Sequence, residues 1–124
     1  MKKDFWLGID NFKKSEFSCK CGCGHNPISE ELVKDLQIAR RISEVPFIIN
    51  SACRCIKHNK SVDGSFSSSH LEGLAVDIKT INSSDRYKIT SVLLFVGFTR
   101  IGVYRDFIHV DIDTSKADKV LWYK

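Results

Sequence analysis

The chain has 124 residues, 43% hydrophobic and 27% charged, proportions that suit one globular domain and exclude a disordered or fibrous chain. Its longest apolar stretch, Val92 to Phe98, is seven residues, against the roughly 20 that a membrane-spanning helix needs. The formal charge of +4 comes from 19 basic and 15 acidic residues spread along the chain, a mild lean toward anionic partners that selects none by itself.

Residues 1–28 predict irregular structure. Met1-Lys2-Lys3-Asp4 has no apolar run after its lysines, so no conventional secretory leader is expected. Cys19-Lys20-Cys21-Gly22-Cys23-Gly24 and Pro27 keep helix out. Ser29 then offers an N-cap, Glu30 and Glu31 suit the positive end of a helix dipole, and Leu32, Leu36 and Ala39 recur on one face. A helix is predicted to about Ser43. Val45 to Ile49 reads as a short buried strand, followed by a helical turn after Arg54 and a serine-rich loop from Lys60 to Ser69.

Leu74 to Lys79 alternates apolar and polar residues, as a strand with one buried face does. A second helix is predicted from about Ser84 to Val96, with Ile89, Val92, Leu93 and Val96 as its stripe and Gly97 as its C-cap. Two strands, Thr99 to Tyr104 and Phe107 to Ile112, close the pattern, joined by a turn at Arg105-Asp106. The whole chain, 1–124, reads as a single α+β domain, with helices packed on one face of a small, mostly antiparallel sheet.

Strand parity carries the chemistry. If Leu74, Val76 and Ile78 face the core, Asp77 faces the other way; if Ile108, Val110 and Ile112 face the core, so does His109. His70, at the approach to the first of these strands, would complete a His–Asp–His set of three donors. Three is the protein-ligand count of a catalytic zinc that keeps its fourth position for water.

The segment Ser68-Ser69-His70-Leu71-Glu72-Gly73-Leu74-Ala75-Val76-Asp77 matches Ser-x-His-x-x-Gly-x-Ala-x-Asp, and this resembles the metal signature of the M15 metallopeptidases. Phe107-Ile108-His109-Val110-Asp111 is similar to that family's second zinc segment. Ile48 to Arg54 with His58-Asn59 resembles its strand-then-arginine element, and Asn11 to Phe17 leading into the cysteines resembles the entry of its small single-domain branch. The resemblance implies a hedgehog/DD-peptidase-like fold and one catalytic zinc on His70, Asp77 and His109. It implies hydrolysis of D-amino-acid-containing peptides of the bacterial cell wall, by a D,D-carboxypeptidase or a peptidoglycan endopeptidase.

Arg54 matches the family's arginine, expected to hold a substrate carboxylate or an oxyanion. Ser68 matches its serine, expected to reach substrate. For the general base, one branch places Glu three residues before the last zinc histidine, where this chain has Asp106. The carboxypeptidase branch places His two residues before it, where this chain has Phe107. Asp106 is the first choice for the base. Asp111 is the rival, two residues beyond His109 on the same strand face, where a water-mediated base or orientation of the ligand is open to it. These departures leave a second reading, a zinc-containing wall-binding or phage structural module of the same fold with little or no turnover.

The partners implied are peptidoglycan stem peptides, with no nucleic acid, no membrane insertion and a monomeric chain. Synthesis in the cytoplasm and action at the wall, as a phage or prophage product, follow from the resemblance. The five cysteines, Cys19, Cys21, Cys23, Cys53 and Cys55, are an odd number and argue against a complete disulfide framework. A second, structural zinc on these thiols ranks below buried filler, because Cys-x-Cys is not the usual knuckle spacing. His58 is expected to stabilise the helical turn and His25 to lie at the surface.

Overall fold

In the computed structural model, which describes residues 4–24 and 26–124, helix α1 runs Glu30–Ser43. The Ser29 hydroxyl accepts from the Leu32 amide, and Glu44 ends the helix in the left-handed conformation. Such a cap is worth about 1 kcal/mol. His25 and residues 1–3, on which the surface assignment and the reading of the N-terminus rest, lie outside the described residues. The predicted irregular N-terminal segment contains two single-turn 3-10 helices, Phe5–Gly8 and Lys14–Phe17. Phe17 anchors it, fully buried between Trp6 and Phe12 at ring distances of 5.5 Å each.

Strand β1 is Ile49–Ser51 and begins later than the sequence suggests. Pro46 lacks an amide to give a ladder, so Val45 to Phe47 approach the sheet without joining it. Helix α2 (Ile56–Ser61), strand β2 (Ala75–Lys79) and helix α3 (Ser83–Val96) follow. Asn82 caps α3 by accepting from Asp85, and Gly97, at φ 113°, ends it as predicted. The hairpin β3 (Arg100–Val103) and β4 (Phe107–Asp111) turns at Arg105-Asp106, closed by the Tyr104 amide donating to the Phe107 carbonyl at 3.0 Å.

A fifth strand, β5 (Val120–Tyr123), runs parallel to β3 and forms the sheet edge. The sheet order is β1-β2-β4-β3-β5, antiparallel except for that last pair. Helix α1 packs on α3, and α3 on β3 and β4. Leu32, Leu36, Ile89 and Leu93 thereby bury against Val76, Ile78, Ile101, Ile108 and Val110, all under 2% exposed. Full burial of each such side chain stabilises by about 1.5–3 kcal/mol relative to exposure. The fold is the small α+β domain that the element order predicts. No helix among the described residues is long and apolar enough to cross a membrane.

Candidate metal centre

With one face of the sheet committed to the helices, the alternate residues of β2 and β4 point to the other. Asp77 and His109 are direct partners across the β2–β4 ladder. The β1–β2 register slips between Ile49 and Ser51, so that Ile49 opposes Ile78 on the core side while Ser51 opposes Asp77 on the site side. One extra residue in β1 therefore brings both a core side chain and a site side chain into use.

His70 arrives from the loop before β2. Its ring is buried, and its Nδ1–H donates to the Ala52 carbonyl at 2.7 Å. The carbonyl can only accept, so the proton sits on Nδ1 and the lone pair on Nε2. That Nε2 faces Asp77 Oδ1 at 3.3 Å. His109 is held the other way round: Nε2 meets Asp111 Oδ2 at 2.7 Å, and Nδ1 faces the same Asp77 oxygen at 3.1 Å. Donor atoms of His70, Asp77 and His109 all lie within 4.8 Å of one another. Ligands at about 2.05 Å around a tetrahedral zinc stand about 3.3 Å apart, close to both measured separations. Each imidazole presents a lone pair inward and gives its other nitrogen to a fixed acceptor, the arrangement metal-binding histidines use. The residues present fit a zinc ion.

The charges fit as well. Burial alone would push the Asp77 carboxyl up, but the His109 and His70 rings that face it outweigh burial and hold the group well below the usual carboxylate range. Burial disfavours charge on His109, yet Asp111 and Asp77 together raise its pKa above the ordinary imidazole value. Asp111 is itself held low, by His109 and then Arg100, against its own burial.

Asp111 is 1% exposed, with Oδ1 accepting from Arg100 Nε at 2.7 Å and from the Asp113 amide at 3.1 Å. Both its oxygens are thus engaged. Asp106 sits elsewhere: its side chain is 84% exposed at the hairpin turn, its nearest charged partner is Arg105 at 3.9 Å, and it does not line the cavity over the donors. Phe107, at the other family position, does line that cavity and stacks on Tyr104 at 4.4 Å.

Arg54 reaches the centre from the β1–α2 connection. Its Nε donates to Ser51 Oγ at 3.1 Å, Nη1 to Asn59 Oδ1 at 3.2 Å and Nη2 to Asp77 Oδ2 at 3.4 Å. Asn59 is buried and also donates to the Ser65 carbonyl, which gives the Asn of the His-Asn dipeptide its purpose. Ser68 lines the cavity while its Oγ accepts from the His70 amide at 3.2 Å. His58 lies within α2, where its amide donates to Cys55 Sγ.

The cavity over the three donors has a volume of about 340 Å³. Its walls include residues that sequence reasoning missed. Trp122 of β5 lies 5.6 Å from the His109 ring, under the Arg100 guanidinium, and donates from Nε1 to Tyr104 Oη at 3.0 Å. Gly102 makes this approach feasible, since a Cβ there would fall 2.4 Å from the indole. Ser69 donates to Asp113 and accepts from Lys116, tying the His70 loop to the chain after β4. Each depends on the parallel β3–β5 pairing or on the segment before it, neither of which has a local sequence signal. A second cleft, of about 450 Å³, lies behind Asp111, against Glu31, Asp35 and Val96, away from the three donors.

Residues 7–111 match the Peptidase M15 family model, so the chain belongs to the Peptidase M15 family, a family of zinc-dependent metallopeptidases. No curated protein matches it.

Proposed function

We propose that the protein hydrolyses peptide bonds in the D-amino-acid-containing stem peptides of bacterial peptidoglycan, with zinc held by His70 Nε2, Asp77 and His109 Nδ1. The observation that carries this reading is the convergence of two oriented imidazoles on Asp77 Oδ1, at 3.3 and 3.1 Å, on the floor of an open cavity. Zinc bound there supplies a Lewis acid for the scissile carbonyl and lowers the pKa of a bound water to about 7.

The chain's own residues do the rest. Arg54, fixed by Ser51 and Asn59, supplies a rigid guanidinium for a substrate carboxylate or for the oxyanion of the tetrahedral intermediate. Lys116 at the cavity wall adds positive charge, which suits stem peptides with free carboxylates. Ser68, on the cavity wall, would hydrogen-bond the peptide. Asp111 holds the His109 ring in the tautomer and orientation that turn Nδ1 inward. Action at the wall by a monomeric phage or prophage product is part of the same reading.

One observation favours the second reading, a binding module with weak turnover. Among the described residues, the only carboxylates lining the cavity are Asp77 and Asp111, and neither is free to take a proton. Asp106 would have to swing inward from its exposed turn to serve as the base. Hydrolysis of purified muropeptides by the zinc-loaded protein, followed by mass spectrometry beside His109→Ala, separates the two. Loss of a terminal D-Ala marks a carboxypeptidase, and cleavage between L-Ala and D-Glu marks an endopeptidase. Stoichiometric zinc with no product from any muropeptide overturns the enzymatic reading in favour of the binding module.

A further inference from the structure

Four of the five cysteines meet at one point outside the site described above, three of them from the short run 19–23 and the fourth, Cys55, from beyond β1. Sγ of Cys19 lies 3.4 Å from that of Cys21 and 3.7 Å from that of Cys55, and Cys21 lies 3.7 Å from Cys55. Cys23 joins them, with all four sulfurs within 4.8 Å of one another. A disulfide needs about 2.05 Å, and none of the five cysteines is in one. Four sulfurs at about 2.3 Å from a tetrahedral zinc stand about 3.8 Å apart. The measured separations lie near that edge length.

The local backbone is shaped for this convergence. Gly22 and Gly24 follow Cys21 and Cys23 with φ of 84° and 83°. An added Cβ at either would meet nothing within 4 Å, so glycine is there for the left-handed backbone rather than for space. The turn at Gly22, between Cys21 and Cys23, bends the chain back, which lets Cys-x-Cys-Gly-Cys present three thiols on one side despite its short spacing. Two amides are aimed at sulfur as well: Cys55 N–H at Cys19 Sγ, 3.4 Å, and His58 N–H at Cys55 Sγ, 3.3 Å. Such donors stabilise thiolate charge. Cys53 stands apart, fully buried with its thiol donating to Asn26 Oδ1 at 3.5 Å.

We propose that Cys19, Cys21, Cys23 and Cys55 bind a second zinc ion, structural and closed to substrate, each cysteine releasing its thiol proton on binding. The ion ties the N-terminal segment to the β1–α2 connection. Cys55 caps α2 and directly follows Arg54, and the Cys53 amide donates to the Phe17 carbonyl in the same junction. The clamp therefore steadies the loop that carries the cavity's guanidinium.

The test is metal content by elemental analysis on protein purified without chelator, with cobalt substitution as a second readout. Wild type is expected to hold two zinc ions per chain. His70→Ala/His109→Ala retains one, and its cobalt form keeps the near-ultraviolet thiolate-to-metal charge-transfer band. Cys21→Ser/Cys23→Ser loses that band and one zinc. If this variant does not fold, wild type decides: a mercurial that blocks thiols must release one zinc of the two. One zinc per chain that vanishes with the histidines, a cobalt form without a thiolate band, or disulfides among these cysteines by peptide mapping overturns the proposal. Because every readout is metal content or spectrum, it stands or falls separately from muropeptide hydrolysis.

Discussion

Asp77 and His109 face each other across the β2–β4 ladder, and the Nδ1 of one lies 3.1 Å from the Oδ1 of the other. The pair is a product of register: one residue of slip in either strand would turn that strand's site residue toward the hydrophobic core and break the pair. The ring nitrogen of His109 that points away from Asp77 is held by Asp111 at 2.7 Å.

Asp111→Ala tests that support. It removes the acceptor that turns His109 Nδ1 inward and leaves the Arg100 guanidinium without its carboxylate. Zinc affinity at the His–Asp–His site should fall by about 10–100-fold, measured by titration against a competing chelator. Unchanged affinity would mean that the ring is oriented without Asp111.

The same groups set a pH dependence. With its pKa raised above the ordinary 6.5, His109 contributes stability to the zinc-free protein that is fully present below that value. The contribution is lost as pH rises through the raised pKa. Asp77 and Asp111, held below 3.8, contribute in the other sense: their share is present above that value and lost as pH falls through the lowered ones. Zinc takes the place of the proton on His109, so its stabilising effect at this site should grow with pH. Thermal melts with and without zinc, from about pH 5.5 to about pH 8.5, should show a widening gap. His109→Ala should remove this site's part of it. A gap independent of pH in wild type would contradict the assignment of His109 as a ligand.

The two central strands and the faces of Asp77 and His109 were legible because they rest on short periods, whereas His70, on a loop, came from the resemblance of residues 68–77 to the M15 metal signature. Alternation in Leu74–Lys79 and Phe107–Ile112 assigns faces without knowledge of the fold, and Ser29 and Gly97 carry their caps in their chemistry. What was not legible depends on distance or on backbone sign. Residues Lys116 to Lys124 show no alternation strong enough to predict β5, whose partner is the non-adjacent, parallel β3, so Trp122 and Arg100 went unnoticed as walls. The β1 start needed the slip at Asn50 as well as Pro46. The cysteine cluster needed a left-handed glycine between Cys21 and Cys23 and a fourth thiol from beyond β1. Spacing alone argues against a site there.

Asp106→Ala addresses the base. The carboxylate stands 84% exposed beside Arg105, outside the cavity. The substitution should leave zinc content unchanged and alter muropeptide turnover by less than tenfold, where removal of a working general base costs about 10²–10⁴. A loss in that larger range with zinc retained would show that the hairpin turn closes over bound substrate.

Gly64→Ala tests how Arg54 is held. A Cβ at residue 64 would fall 2.1 Å from Asn59 Oδ1 and 3.1 Å from Arg54 Nη1. Asn59 would have to move, losing its bonds to Arg54 and to the Ser65 carbonyl, at a cost of about 1–3 kcal/mol for the buried groups left unpaired. The melting temperature should drop and KM should rise while the histidine-bound zinc stays. Retained stability and KM would mean that the 59–65 turn relaxes around the methyl group.

Arg54→Lys separates charge from shape at the same position. An ammonium keeps the positive charge but cannot span Ser51, Asn59 and Asp77 at once, as the guanidinium does through its three nitrogens. If the guanidinium holds the substrate carboxylate or the oxyanion, kcat/KM on an active muropeptide should fall by about 10²–10³, with metal content unchanged. A loss confined to KM would assign Arg54 to ground-state binding of the peptide carboxylate, and an equal loss in kcat and kcat/KM would assign it to the transition state. Wild-type kinetics in Arg54→Lys would remove the arginine from both roles and leave it as the tie between Asp77 and the α2 loop.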